Sequence, residues 1–202
     1  MSYRGYRGLN LSPIFVIIGI NLLLFLPTIV SQEIRQELII NLGLWSPAEV
    51  FFRHPWGIIT SMFLHDGFFH LFANMITLYF FGTYLNRLIG SRKFLLVYFG
   101  GGILGGIFFV LLGTLMSTTS LSLAIGASGA VFALGGALAV MMPRLRVFIF
   151  PIPAPLPLWI AVIGGFVILS FLPFIAWEAH LGGLLFGLGA GYLFKKRRRY
   201  YY

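Results

Sequence analysis

The chain has 202 residues, of which 59% are hydrophobic and 9% are charged, whereas soluble domains carry about 25% charged residues. Its mean hydropathy is +0.95. This composition excludes an ordinary soluble domain and indicates an integral membrane protein. Because a helix needs about 20 residues to cross a bilayer, the length allows six or seven spans and little else. The absence of cysteine excludes disulfides and thiolate metal sites.

Apolar stretches along the chain predict an all-α membrane bundle of six transmembrane helices. The spans are predicted at about 11–30, 67–88, 93–116, 128–142, 157–174 and 177–194. A polar N-terminus of residues 1–10 precedes the membrane domain of residues 11–194, and a basic tail of residues 195–202 follows it. The first stretch is too long for a typical signal peptide and lacks its cleavage site, so we expect a retained span. Residues 31–66 mix charged groups with aromatic rings, which is typical of a loop in the membrane interface.

The basic residues predict the orientation of this bundle. Six spans place both termini on one side of the membrane. If that side is the cytoplasm, twelve of the fourteen Lys and Arg residues lie inside, and Arg35, Arg53 and all five acids lie outside. We therefore expect cytoplasmic N and C termini. The net charge of +9 then belongs to a membrane-facing basic end, and no nucleic-acid partner is expected.

A serine begins the fourth span, in the sequence Gly-Ala-Ser-Gly-Ala of residues 126–130. Small residues follow Ser128 at helical spacing and form a stripe on which another helix can pack closely. His180, near the start of the sixth span, precedes a second stripe of this kind. The members of the two stripes are Gly129, Ala133 and Ala137, and Gly183, Gly187 and Gly191.

Both spans enter the membrane from the outer side, so Ser128 and His180 should lie at similar depth. We interpret them as a nucleophile and its general base. The fourth span is short for a bilayer. Ser128 is therefore expected in a recessed cavity that water can reach.

The second span adds His70 and Asn74, which lie four residues apart on one helical face. Polar groups inside a membrane are costly and are candidates for function. Acyl transfer needs preorganised donors for its oxyanion, and we expect them to be the His70 ring N–H, the Asn74 amide and the backbone N–H of Ser128. No carboxylate is placed to orient His180, because Glu178 points to another face and Asp66 lies in a loop. The sequence therefore predicts a Ser–His dyad rather than a triad.

Each of these residues also has a structural interpretation. Ser128 could be a packing residue, His180 could bind a carbonyl group, and His70 and Asn74 could join helices. His65 is expected to be structural. A zinc site of His65, His70 and His180 would lack the H-E-x-x-H motif and a carboxylate ligand, so no metal is predicted.

Two functions from other classes remain as alternatives. The first is a non-catalytic handler of membrane proteins, and the second is a small transporter whose polar groups line a path.

Three motifs together resemble the rhomboid family of intramembrane serine proteases. They are H-x-x-x-N at His70 and Asn74, G-A-S-G at 126–129, and A-H-x-x-G-x-x-x-G from Ala179 to Gly187. The resemblance covers about residues 12–194 and corresponds to the minimal six-helix prokaryotic type. It implies Ser128 as nucleophile, His180 as base, and His70, Asn74 and the Ser128 N–H as oxyanion stabilisers. Helix packing around this site is assigned to Gly126, Gly129, Gly183 and Gly187.

The resemblance also implies a substrate class and a location. Substrates would be single-pass or other transmembrane proteins, cut in or near a transmembrane helix and entering laterally near the fifth and second spans. The enzyme would need no cofactor. It would lie in a prokaryotic plasma membrane with its active site opening to the extracytoplasmic side. Two positions depart from the pattern of many members: Trp56-Gly57 replaces a Trp-Arg pair, and Asn86 replaces a Glu between Gly82 and Gly90.

Overall fold

The structure, a computed structural model, describes residues 12–116, 121–148, 154–173 and 175–198. The chain is mostly helical within these ranges. The longer helices are α1 (Pro13–Val30), α2 (Gln32–Leu42), α5 (Phe68–Thr77), α6 (Thr83–Ile89), α7 (Ser91–Met116), α8 (Ser128–Met141), α9 (Leu158–Ser170) and α10 (Trp177–Arg198). The short elements are β1 (Leu44–Ser46), α3 (Ala48–Phe51), α4 (Gly57–Thr60), a 3₁₀ turn (Ser61–Phe63), a π-helical turn (Leu78–Gly82), β2 (Ser122–Ala124), β3 (Arg146–Val147) and β4 (Leu156–Pro157).

Helices overlap all six stretches that the sequence predicts as spans. Among the described residues, three are long and apolar enough to cross a membrane: α1, the continuous helix Phe68–Ile89, and α7. Helices α8 and α9 are shorter and apolar. The continuous helix contains the π-helical turn, which joins α5 to α6. These helices form the membrane bundle that the composition indicates.

The C-terminal end of the bundle differs from the prediction. Helix α10 continues into the predicted tail and ends at Arg198, since Lys and Arg are good helix formers and suit the negative end of the helix dipole. Residues 1–10 and 199–202 lie outside the described residues.

The segment 31–66 is more regular than the predicted interfacial loop. Its first half is helix α2, where the Ser31 hydroxyl caps the start by accepting the Ile34 N–H at 3.3 Å. The Trp56 indole N–H donates to the Asn41 carbonyl at 2.7 Å, which fixes α4 against the end of α2. Gly57 is buried there, and a side chain in its place would collide with the Gly43 backbone. The departure at Gly57 is therefore part of how this segment packs.

Strand β1 connects this segment to the loop that precedes Ser128. It pairs antiparallel with β2, with Leu44 opposite Ala124 and Ser46 opposite Ser122. Three residues then separate the end of β2 from the start of α8. The segment 31–66 thus holds the chain shortly before the predicted nucleophile.

Backbone contact between α8 and α10 forms the centre of the bundle. A Cβ atom at Gly183, Gly187 or Gly191 would overlap the carbonyl group of Gly129, Ala133 or Ala137, respectively. Helix α7 joins them, since a Cβ at Gly105 would lie 2.5 Å from the Ala179 carbonyl oxygen. In lipid, where helices gain little from hydrophobic association, such close van der Waals packing is a main source of helix pairing. The predicted stripes therefore do face each other.

Replacing Gly187 by alanine tests this packing. The new Cβ would meet the Ala133 backbone, and overpacking of this kind costs about 1–3 kcal/mol. Gly189→Ala is the matched control on the same helix, because a Cβ there has no atom within 4 Å; it should be neutral or stabilising by up to about 1 kcal/mol. The free energies of unfolding in detergent micelles check both. Equal effects of the two substitutions would contradict the packing.

Candidate active site

The turn before α8 is held by two hydrogen bonds from its backbone. The Gly126 N–H donates to the Ser61 carbonyl at 2.9 Å, and the Ala127 N–H donates to His65 Nε2 at 3.4 Å. Gly126 has φ of +118°, a left-handed conformation that glycine adopts without a steric penalty. Helix α8 then begins at Ser128 with no side-chain cap. The first N–H groups of the helix therefore point outward without an intrahelical acceptor.

Ser128 and His180 lie within hydrogen-bond distance of each other. His180 Nε2 is 2.7 Å from Ser128 Oγ, although 52 positions separate the two residues in the sequence. His180 lies in the first turn of α10 and is 5% exposed. The small residues that follow each of them allow this approach, because larger side chains would separate the two helices.

A phenylalanine packs on the imidazole from the α8 side. The ring of Phe132 lies 4.6 Å from that of His180, centroid to centroid, at 35° between planes. Phe132 is one helical turn after Ser128, so it covers the histidine that the serine contacts. Phe166 of α9 in turn meets Phe132 edge to face at 6.1 Å. Phe132 is not among the residues that the sequence predicts for the site, because one aromatic ring in an apolar helix looks like an ordinary packing residue.

No carboxylate contacts His180 in the described part of the chain. Its Nδ1 atom is buried and has no hydrogen-bond partner there. Asp66 forms an ion pair with Arg35 instead, and no hydrogen bond or ion pair joins Glu178 to the imidazole. Among the described residues, the arrangement is therefore a serine and a histidine with no carboxylate bonded to the histidine.

His70 faces the turn before Ser128. The Asp66 N–H donates to its Nδ1 at 3.3 Å, so in a neutral ring the proton resides on Nε2. A Cβ placed on Gly126 would lie 2.6 Å from that Nε2 atom. The ring N–H is thus directed at the glycine two residues before the serine.

Asn74 is buried one turn further along α5. Its amide nitrogen donates to the His70 carbonyl at 2.9 Å. One of its two N–H groups is thereby used within the helix, and the second remains for another acceptor. The described residues show no hydrogen bond from Asn74 to Ser128 or His180.

The remaining predicted residues occupy structural positions. Gly129 packs against the backbone next to His180: a Cβ atom placed on it would lie 3.2 Å from the Ala179 carbonyl oxygen. Asn86 has a buried amide oxygen without a partner among the described residues. In the described part of the chain, no group of three or more His, Cys, Asp or Glu side chains is placed to hold a metal.

A small cavity of about 30 Å³ lies beside Ser128. A water molecule needs about 10–15 Å³ of such space, so the cavity has room for water next to the hydroxyl. Most of the residues that line it are small, and the larger ones are Leu44, Met62 and Ile125. The small ones include Ser61, Gly102, Gly106, Ala124 and Ala179.

The chain is similar to known proteins over most of its length. The Rhomboid domain family model matches residues 53–197, which contain every residue of the site. The chain belongs to the rhomboid family. The resemblance seen in the three motifs is thus confirmed.

Several curated proteins are similar to the chain. A putative rhomboid protease, YdcA of Bacillus subtilis, is 36% identical over 148 residues, which are 72% of this chain and 71% of that protein. Rhomboid protein 1 of Saccharomyces cerevisiae mitochondria is 31% identical over 69% of this chain, which spans only 42% of the yeast protein's length. An Arabidopsis thaliana relative named inactive RHOMBOID-like protein 8 is 34% identical over 64% of this chain and 35% of its own length. The rhomboid family is generally one of intramembrane proteases, with inactive members among the relatives.

Gly126→Ala tests the contact between the turn and His70. An alanine at φ of +118° pays a conformational cost of about 1–2 kcal/mol, and its Cβ would also push against the His70 ring. Gly90→Ala is the matched control: Gly90 has φ of +80° but open space around its would-be Cβ. We expect both variants to lose stability, the Gly126 variant more because of the contact with His70, and we expect only the Gly126 variant to lose Ser128 reactivity. Thermal unfolding and the rate of labelling by a fluorophosphonate measure the two quantities.

Proposed function

We propose that this rhomboid is an intramembrane serine endopeptidase that cuts other membrane proteins in or near a transmembrane helix. The observation that carries the proposal is the 2.7 Å distance between Ser128 Oγ and His180 Nε2, on two helices that otherwise meet through glycine and alanine residues. A serine hydroxyl is a weak nucleophile until a base accepts its proton, and neutral imidazole suits that role near pH 7.

The reaction follows from these two groups. His180 Nε2 accepts the Ser128 proton as Oγ attacks the carbonyl carbon of the scissile peptide. The tetrahedral intermediate then loses the amine, which receives that proton from His180, and an acyl-enzyme remains. Water from the cavity beside Ser128 attacks the ester carbonyl carbon while His180 accepts its proton. The second tetrahedral intermediate then breaks its bond to Oγ, which receives that proton from His180, and the product leaves as a carboxylic acid that ionises in water. Phe132 holds the imidazole plane during these transfers.

The developing oxyanion is assigned to three donors. The first is the Ser128 backbone N–H, which sits at the positive end of the α8 dipole. The second is His70 Nε2–H, which the Asp66 backbone orients toward the turn. The third is the N–H of Asn74 that does not bind the His70 carbonyl.

The substrate class follows from the shape of the site. A peptide bond inside a helix is shielded by its own hydrogen bonds, so substrates should carry Gly, Pro or similar helix-weakening residues near the cut. The small cavity beside Ser128 suits a small side chain next to the scissile bond. A substrate would enter laterally near α9 and α5.

We further propose six membrane crossings with both termini in the cytoplasm, in a prokaryotic plasma membrane, and a site that opens to the extracytoplasmic side. The position of Ser128 and His180 at the starts of α8 and α10 supports a common depth, and the distribution of basic residues supports the direction.

Single introduced cysteines test this orientation, because the chain has none of its own. Glu49→Cys should react with a membrane-impermeant maleimide in intact spheroplasts, and Arg92→Cys should react only after permeabilisation. Both residues lie in segments between the proposed spans. The reverse pattern would invert the orientation.

Labelling with a fluorophosphonate or isocoumarin tests the chemistry. The wild type should be modified and should cleave a transmembrane reporter, whereas Ser128→Ala and His180→Ala should lose both activities. Ser170→Ala is the control, because that hydroxyl donates to the Phe166 carbonyl at 2.8 Å within α9. The His180→Ala variant should retain thermal stability within about 2 kcal/mol of wild type.

A folded wild type that is neither labelled nor active would favour a non-catalytic handler of membrane proteins or a small transporter. The inactive relative in Arabidopsis makes that outcome worth measuring.

A further inference from the structure

We propose that His65 is a positioning residue for the nucleophile, acting through the backbone of the turn that carries Ser128. This inference rests on the proposed function, since it concerns how Ser128 is held for reaction. His65 belongs neither to the proposed dyad nor to its oxyanion donors, and the sequence alone predicts a structural role for it.

The contact is directed at the residue before the serine. His65 Nε2 accepts the Ala127 N–H at 3.4 Å, and Ala127 is the N-cap of α8. Both residues are buried, with exposures of 3% for His65 and 0% for Ala127. A buried N–H without an acceptor costs free energy, so the imidazole supplies what no other group of the turn provides.

The protonation state of His65 suits an acceptor. Burial, together with the nearby His70, lowers its pKa to about 3, so the ring is neutral at physiological pH. With Nε2 accepting, the proton of the neutral ring lies on Nδ1. That Nδ1 atom is buried and has no partner among the described residues.

This asymmetry separates positioning from bulk packing. A leucine would fill much of the same space without leaving an unpaired ring nitrogen, and it would cost the protein less desolvation. The polar contact that the described residues give the histidine in return is the one to Ala127. The hydrogen bond to the turn is therefore what the imidazole provides and a leucine would not.

The contact also selects which backbone donors remain for a substrate. The Gly126 N–H is taken by the Ser61 carbonyl and the Ala127 N–H by His65. The next N–H group belongs to Ser128 itself. Fixing Ala127 therefore fixes the direction in which the Ser128 N–H and hydroxyl point.

His65 also lies against His70 edge to face, with ring centroids 4.9 Å apart. Asp66, the residue after His65, orients His70 by donating its backbone N–H to the His70 ring. One short segment thus sets both the nucleophile turn and the histidine that faces it.

Three substitutions of His65 test the inference. His65→Gln places an amide oxygen near the position of Nε2 and keeps the acceptor. His65→Asn has the same chemistry but is one methylene shorter, and His65→Leu has no acceptor. Since misplacement by about 1 Å can cost about 100-fold in rate, we expect Asn and Leu to slow fluorophosphonate labelling of Ser128 by about 10- to 100-fold. Gln should stay within about 3-fold of wild type.

Melting temperature in detergent distinguishes positioning from folding. We expect the Gln and Asn variants to melt at similar temperatures while their labelling rates differ, and we expect the loss to lie in the maximal rate rather than in reagent affinity. If the Leu variant does not fold, the Gln and Asn pair decides alone. His54→Leu is the control, a histidine of the same segment that packs on Trp56, and it should label like wild type.

The possible failures are separable. An unlabelled wild type overturns the proposed function and the inference that rests on it. A labelled wild type with equal rates in the Gln and Asn variants, or rates that follow only the melting temperature, overturns the role of His65 and leaves the dyad intact.

Discussion

Backbone contact between α8 and α10 is the constraint on which the rest of the structure depends. Three glycines of α10 lie against carbonyl groups of α8, and a single methyl group at any of them would force the helices apart. The dyad distance of 2.7 Å is a consequence of that approach. The close approach of Ser128 and His180 thus depends on the absence of side chains at these glycines.

The N-terminal end of α8 is held by a second set of contacts. Strand pairing between β1 and β2 and the Gly126 and Ala127 hydrogen bonds tie the turn before α8 to residues 44–65. The segment 31–66 is itself braced by Trp56 and by the Arg35–Asp66 ion pair. A segment that contains neither Ser128 nor His180 therefore holds the turn that leads into Ser128.

The sequence was informative where a residue contradicts its surroundings. The polar groups that stand out in apolar stretches are Ser128, His180, His70 and Asn74, and the spacing of small residues indicated which helices pair.

Contacts made by residues of ordinary type could not be predicted from the sequence. Phe132 in an apolar helix reads as packing, and the bond from Ala127 to His65 joins positions 62 residues apart. The sequence predicts a loop where α2 forms, because the charged residues of α2 interrupt its apolar ones. The pattern of Gly57 against Gly43 likewise exists only in three dimensions. The family and the helical membrane architecture are shown, while the roles of the site residues stay predictions.

Helix α8 has 14 residues and a length of about 21 Å, and none of its residues is exposed. A helix enclosed by its neighbours does not experience the thickness of the surrounding lipid directly. Hydrophobic mismatch in a thicker or thinner bilayer therefore falls on the peripheral helices, such as α1 and α9, which can tilt at modest cost. Ser128 and His180 are thus shielded from changes in lipid chain length, which a helix as short as α8 could not accommodate.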